Sequence, residues 1–313
     1  MKTKKAVVSK TGFKVKETKM RQSWDDRTFS IVTTSFLIFM CLIMIYPLVF
    51  VVSSSFSSGS AVMTGRVFLW PVEFSLDGYA AVFRNRQILI GFRNSLFYTA
   101  AGVALNLVMG LLAAFPLSRK ELVGRRFLNL FFIFTMFFSG GMIPRFLLIS
   151  DTLGMMDSPL AMILPVMMSV WFIILMRTYI VSSIPDELIE AAEMDGCRTI
   201  GILIRIIVPL SKPIMAVIAL FCAVAIWNSY FDGFLFIRSA NLFPLQVVLR
   251  NILILNSMDI AIMGDIRGAI NRQAMQHIIQ YATIVVASAP LLIAYPFVQK
   301  HFVKGVMLGG VKG

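Results

Sequence analysis

Pro185-Asp-Glu-Leu-Ile-Glu-Ala-Ala-Glu-Met-Asp-Gly-Cys-Arg-Thr-Ile-Gly-Ile-Leu-Ile-Arg-Ile-Ile-Val-Pro-Leu-Ser-Lys-Pro213 is a polar interruption in an otherwise apolar chain. Its first part reads as a short helix. Ser183 is placed to act as N-cap with Asp186 three positions on, and Pro185 is tolerated in a first turn whose N–H groups lack helical partners. Asp186 and Glu187 complement the positive helix end. Ala191 and Ala192 leave a shallow place where a partner can approach closely. Gly196 is the natural stop, because it accepts positive φ without a Cβ clash. A second, apolar helical run continues to Pro209, and beyond Pro213 the chain can cross a membrane. A short polar helix lying across a loop between apolar runs is a docking element.

The composition places that element at a membrane. Hydrophobic residues make up 58% of the 313, with 27 Phe, and the mean hydropathy is +0.81, outside the range of a soluble domain. A net charge of +13 would point to nucleic acid in a soluble protein. Here basic loops facing anionic lipid account for it, and no nucleic-acid partner is expected. Three cysteines, two of them (Cys41 and Cys222) inside apolar runs, give no disulfide framework.

Residues 1–28 carry nine Lys or Arg against three acids and read as a basic cytoplasmic arm. The apolar run after them is long enough to stay as an anchor rather than a cleaved signal. Six spans are expected, at about 30–52, 94–117, 127–149, 158–177, 213–234 and 279–299. In the second, Gly102, Asn106, Gly110 and Ala114 recur every four residues as a stripe for close helix packing. The third is interrupted at Ser139-Gly140-Gly141-Met142-Ile143-Pro144, either as the lining of a cavity or as a helix end at the outer surface. A long polar outer segment is expected over 237–277. The arm, the loop 118–126, the docking loop and the tail together hold 20 of the 29 Lys and Arg, which puts both termini and the docking loop inside.

Catalytic chemistry is missing from the sequence. Gly305-Val-Met-Leu-Gly-Gly310 has the glycine spacing of a phosphate loop, but Val311 stands where a Lys must be. The two histidines, His277 and His301, fall on opposite sides of the expected bilayer, so no metal site is expected. The spans hold few ionisable residues, Asp232 being the clearest, which argues against a proton- or sodium-coupled carrier. Energy must then enter from a partner that moves the docking helix.

Glu190-Ala191-Ala192, Gly196 and Ile206-Ile207-Val208-Pro209 resemble the EAA signature of permease subunits in binding-protein-dependent ABC importers. The signature ends Ile-x-Leu-Pro, and Val208 replaces its Leu. Asn94-Ser95-Leu96, Phe138–Pro144, Trp227-Asn228, Phe243–Leu249, Tyr295–Lys300 and Gly305–Gly313 extend the resemblance to the carbohydrate-uptake branch, which includes the second maltose-importer permease. Within that branch the chain is most similar to the group associated with complex oligosaccharides. The resemblance implies an all-α integral membrane protein of the bacterial inner membrane, multi-pass, with six transmembrane helices. Spans two to six would form a MetI-like permease core (about 90–300) within a transmembrane domain 29–313, with both termini inside. It implies a homologous second permease, two ATPase subunits that bind ATP and Mg, and an extracellular solute-binding protein. The chain itself would hold no cofactor, catalytic residue or metal, and its substrate would be an oligosaccharide. Peptide or ion cargo, or an ion-coupled carrier, are the alternatives.

Carried over by position, Glu190, Ala191, Ala192, Asp195 and Gly196 belong to a coupling helix (about 184–197) seated on an ATPase. Gly305, Gly309, Gly310 and Lys312 belong to a tail (300–313) between the ATPases, or to a frayed end. Asn94, Ser139, Gly140, Trp227, Asn228 and Tyr230 are candidates for the translocation path. Aromatic faces stack on sugar rings and amides bond to hydroxyls, although Trp and Tyr near a span end also serve as interfacial anchors. Asn241, Phe243, Gln246 and Arg250 would face the binding protein.

Overall fold

A computed structural model describes residues 24–258 and 266–306, and among these every regular element is a helix. In chain order they are α1 (Trp24–Ser55), α2 (Gly59–Met63), α3 (Asp77–Arg84), α4 (Arg86–Ser118), α5 (Arg125–Phe137) and α6 (Met142–Leu147). Then follow α7 (Pro159–Ile163), α8 (Val170–Ser183), α9 (Asp186–Met194), α10 (Thr199–Ile202), α11 (Val208–Leu210), α12 (Lys212–Trp227), α13 (Phe231–Phe236), α14 (Leu245–Met258) and α15 (Ile266–Val306). Two units are distinguished, residues 1–49 and 50–313. The described part of the first is a single helix, the start of α1, with no charge between Thr28 and Val49.

In the second unit α4 is the helix on which α7, α8, α12 and α14 lean. It is 33 residues long, or about 50 Å. At its Ser118 end, Leu111, Ala114 and Phe115 pack with Ile173, Met176 and Ile180 of α8 and with Ile189, Ile202, Ile207 and Ile218. Near its other end, Ile88 packs with Val82, Trp227, Leu245, Val248 and Ala282. The small-residue stripe is buried as its spacing predicts. A Cβ on Gly102 would meet Ile226 Cδ1 at 2.6 Å. Asn106 Nδ2 donates to the Val166 carbonyl at 2.7 Å, satisfying an acceptor freed where the chain turns between α7 and α8.

Three helices, α1, α4 and the Gln273–Ile293 stretch of α15, are each long and apolar enough to cross a membrane. Three further pairs pass the same test only as pairs, bent by 107° (α5 and α6), 42° (α7 and α8) and 76° (the helical stretch Thr199–Leu210 and α12). The first bend sits in the Ser139–Gly141 break. Gly141 adopts φ +84° and ψ −177°, a conformation that side-chain-bearing residues avoid, so the helix of the third expected span breaks after Phe137 and resumes at an angle in α6. Part of the polar stretch expected over 237–277 is helical, as α14. Leu245 and Val248 share one face of α14 and pack against Gly91 of α4, while Val247 is buried against Gly233 of α13, so the first turns of this helix are apolar toward two neighbours. Ser183 does not cap the docking helix: it ends α8, while Pro185 occupies the N-cap position of α9 without a side-chain bond.

Where α2 meets α15 the backbones touch: a Cβ on Gly59 would lie 2.6 Å from the Ala274 carbonyl oxygen, whereas one on Gly110 meets nothing closer than Met176 Cε at 3.6 Å. Gly59→Ala should therefore destabilise the purified protein by about 1–3 kcal/mol and lower its thermal midpoint, while Gly110→Ala leaves the midpoint unchanged or raises it.

Candidate functional site

Helix α9, the expected docking element, is held by burial and oriented by charge. Ile189 is 2% exposed and packs among Ile180, Ile184, Ile202 and Ile207; burying such a side chain contributes about 1.5–3 kcal/mol. Lys120 Nζ reaches Asp186 Oδ2 at 2.7 Å, and Arg119 lies 3.4 Å from Glu193. The Lys120 ammonium beside Asp186 holds that carboxyl below its usual range, and Asp186 in turn raises the lysine. Such exposed pairs are screened by solvent and add little stability, so they set direction while Ile189 sets attachment. At the far end Gly196 (φ +76°) lets its own N–H reach the Glu193 carbonyl at 3.0 Å and that of Cys197 reach Ala192 at 2.9 Å, a Schellman stop. Glu190, Ala191 and Asp195 are exposed, and Ala192 is half-buried. Glu190 forms no ion pair among the described residues. Leu188 and Met194 of the same helix and Ile200 of α10 are exposed, Met194 at 89%.

At the opposite end α4 grips a loop. Asn94 Nδ2 donates to the carbonyls of Asn241 (2.8 Å) and Phe243 (3.1 Å), and Tyr98 Oη donates to Leu242 (2.9 Å). Ser95 Oγ accepts from the Leu245 N–H at 2.8 Å. Asn94, Ser95 and Tyr98 lie on one face of the helix, and they occupy the backbone groups of 241–245 in turn. A second clamp holds the start of the same loop. Asp157 Oδ1 accepts the N–H groups of Arg238 (2.9 Å) and Ser239 (2.7 Å), and Oδ2 accepts the Ser239 hydroxyl. The Ser239 hydroxyl and those two amides hold the Asp157 carboxyl below the ordinary carboxylate range.

Beside that loop runs a groove with two adjoining hollows of about 380 and 420 Å³, both lined by Gln246, Leu249 and Ile284. Asn228 and Ser288 line the first, and Tyr230, Arg250 and Gln280 the second. Trp227 borders the groove but is 3% exposed; its indole N–H donates to the Ala287 carbonyl at 3.0 Å and its ring meets Phe92 edge-on. Arg250 lies over the rings of Phe234 (4.4 Å) and Tyr230 (5.5 Å).

The path candidates thus fall into different places. Asn228 and Tyr230 share the groove with Gln246 and Arg250, which the sequence had grouped separately. The amide hydrogens of Asn94 are committed to the loop. Ser139 and Gly140 line a separate hollow of about 600 Å³ between α6 and α13. That hollow contains Arg145, paired with Asp232 at 2.9 Å, so the carboxylate that stood out in the sequence is neutralised. Asn241 is exposed in the gripped loop, and Phe243 is half-buried. Gly305 lies in the last turn of α15, whereas Gly309, Gly310 and Lys312 fall outside the described residues, as do residues 1–23 of the basic arm. Tyr98, Asp157, Lys120 and Arg145 were not singled out in advance, and Ser95 was quoted only within Asn94-Ser95-Leu96. Their signal was their polarity at or near the ends of apolar helices.

Comparison with known proteins agrees with this architecture. Residues 106–308 match the family model described as binding-protein-dependent transport system inner membrane component. The chain is 39% identical over 291 residues (92% of this chain, 99% of the relative) to the polygalacturonan/rhamnogalacturonan transport system permease protein YtcP of Bacillus subtilis. It is 38% identical over 287 residues (92% and 96%) to protein LplC of the same organism. A chain in the crystal structure of a bacterial ABC transporter involved in the import of the acidic polysaccharide alginate superposes with a TM-score of 0.82. The identity there is 36%, over 90% of this chain and 99% of that one.

Because Asp157 has a folded pKa below its unfolded value of about 3.9, its hold on the loop is complete above that value and is lost as pH falls through the lowered folded one. Hydrogen exchange at the Arg238 and Ser239 amides should therefore stay slow from pH 7 to about 5 and accelerate below about 4 beyond the intrinsic pH effect. Asp157→Asn should exchange several-fold faster at pH 7.

Proposed function

The chain belongs to the family of binding-protein-dependent transport system inner membrane components, and from that premise we propose that it is one of two permease subunits of an ATP-driven importer of oligosaccharides. The end-to-end similarity to a permease named for polygalacturonan and rhamnogalacturonan transport carries the sugar assignment, and the alginate transporter supports it. Both names refer to acidic polymers.

In this reading each bent pair is one traverse, which gives six spans with both termini and α9 in the cytoplasm of a bacterium. The basic arm 1–28 precedes a permease domain over 29–313. Two ATPase subunits bind ATP and Mg; this chain catalyses nothing. Glu190, Ala191, Ala192, Asp195 and Gly196 seat α9 in an ATPase groove, Glu190 offering its free carboxylate to a cation there. Gly305, Gly309, Gly310 and Lys312 extend the tail between the ATPases. Movement of α9 tilts α8 and α12, and α4 follows through the Ile189 cluster and the Lys120 and Arg119 pairs. The groove beside Asn228, Tyr230 and Gln246 then opens to one side or the other. The gripped loop, with Asn241 and Phe243, presents a preformed rim to the binding protein. The Arg145–Asp232 pair leaves no free carboxylate in that hollow for an ion-coupled carrier.

The test is uptake by the complete importer in proteoliposomes. A Cβ at position 196 meets nothing within 4 Å, so Gly196→Val acts through the left-handed backbone, at about 1–2 kcal/mol, and through the partner. Gly196→Val and Glu190→Arg should each abolish uptake while membrane insertion stays normal. Unimpaired uptake in both variants would sink the coupling role.

A further inference from the structure

Arg250 is the one charged residue among those lining the two hollows of the groove. It forms no ion pair among the described residues. Its guanidinium carbon stands 4.4 Å from the centre of the Phe234 ring and 5.5 Å from that of Tyr230, and those two rings are stacked at 5.8 Å. A guanidinium drawn over aromatic faces spends none of its N–H donors on them. Those donors form a planar fork whose spacing matches the two oxygens of a carboxylate. Leu249, Ile252 and Ile284 give the same hollow apolar walls. Gln246 and Gln280 stand along the groove with Arg250, and amides both donate to and accept from hydroxyls. A cation fixed in place with no described counter-charge, flanked by amides, is what an anionic sugar ring requires.

We propose that Arg250, set over Tyr230 and Phe234, reads a sugar carboxylate in the groove and so selects uronate-bearing oligosaccharides over neutral ones. The inference rests on the oligosaccharide-importer reading and adds to it the specificity-determining residue. It is tested with the complete importer and its binding protein in proteoliposomes, using trigalacturonate and its methyl ester as probes. Arg250→Gln should raise the KM for trigalacturonate uptake at least tenfold, with little effect on any uptake of the ester, and Arg250→Lys should recover part of the loss. An unchanged KM for trigalacturonate, or an equal loss on acid and ester, would overturn the proposal. So would an effect that appears only in vesicles containing anionic lipid, because the fork would then be holding a headgroup phosphate. An unaltered importer that carries the ester but not the acid would overturn it too, leaving the oligosaccharide reading standing. An unaltered importer that carries neither would overturn it as well, and one that also carries no neutral oligosaccharide would remove the oligosaccharide reading.

Discussion

Backbone groups that leave a helix inside an apolar environment must find partners, because lipid supplies none and each unsatisfied group costs several kcal/mol. The chain meets that constraint with side chains of α4. The gripped residues Asn94 to Tyr98 lie about 12–18 Å along the helix from its start at Arg86, so the loop 241–245 descends well below the end of α4. At that depth Asn94, Ser95 and Tyr98 engage the loop's carbonyls and one N–H. Asn106 does the same for the turn before α8. Without these bonds the irregular segments would have to straighten into helix or withdraw toward water, and the groove would lose a wall.

The other end of α4 is governed by charge. Arg177 Nε donates to the Leu117 carbonyl at 3.0 Å, and Arg125 reaches the Ser118 and Arg119 carbonyls. These cations meet the negative end of the helix dipole. Arg119 and Lys120 then extend to the acids of α9. One rod therefore carries the docking helix at one end and the groove's rim at the other, with a close-packed stripe between.

Much of this was legible in the residues. The spacing from Glu190 through Gly196 to Pro209 located α9 and its stop, because left-handed backbone after a helix is a local demand that glycine answers. The four-residue repeat from Gly102 to Ala114 was equally readable, since close helix approach needs small side chains at that period. What stayed hidden depends on contacts between residues far apart in sequence. Asp232 was visible as an unusual carboxylate, but Arg145 is 87 residues away, and nothing local joins them. Asn94 looked like a residue for a sugar hydroxyl, and only the return of the chain at 241–243 shows which carbonyls its amide serves. The segment 237–277 read as polar because its Asn, Gln and Arg outweighed the apolar residues Leu245, Val247 and Val248. Ser183 failed as a cap because α8 runs through it.

The stiffness of α4 has a geometrical consequence. A straight rod about 50 Å long that rocks by roughly 5° about its midpoint sweeps its two tips in opposite directions by about 2 Å each. The rim would shift by the same amount as the docking loop, with the sign reversed, and neither would need to refold. A load on α9 would therefore be felt at the far rim as a displacement of reversed sign.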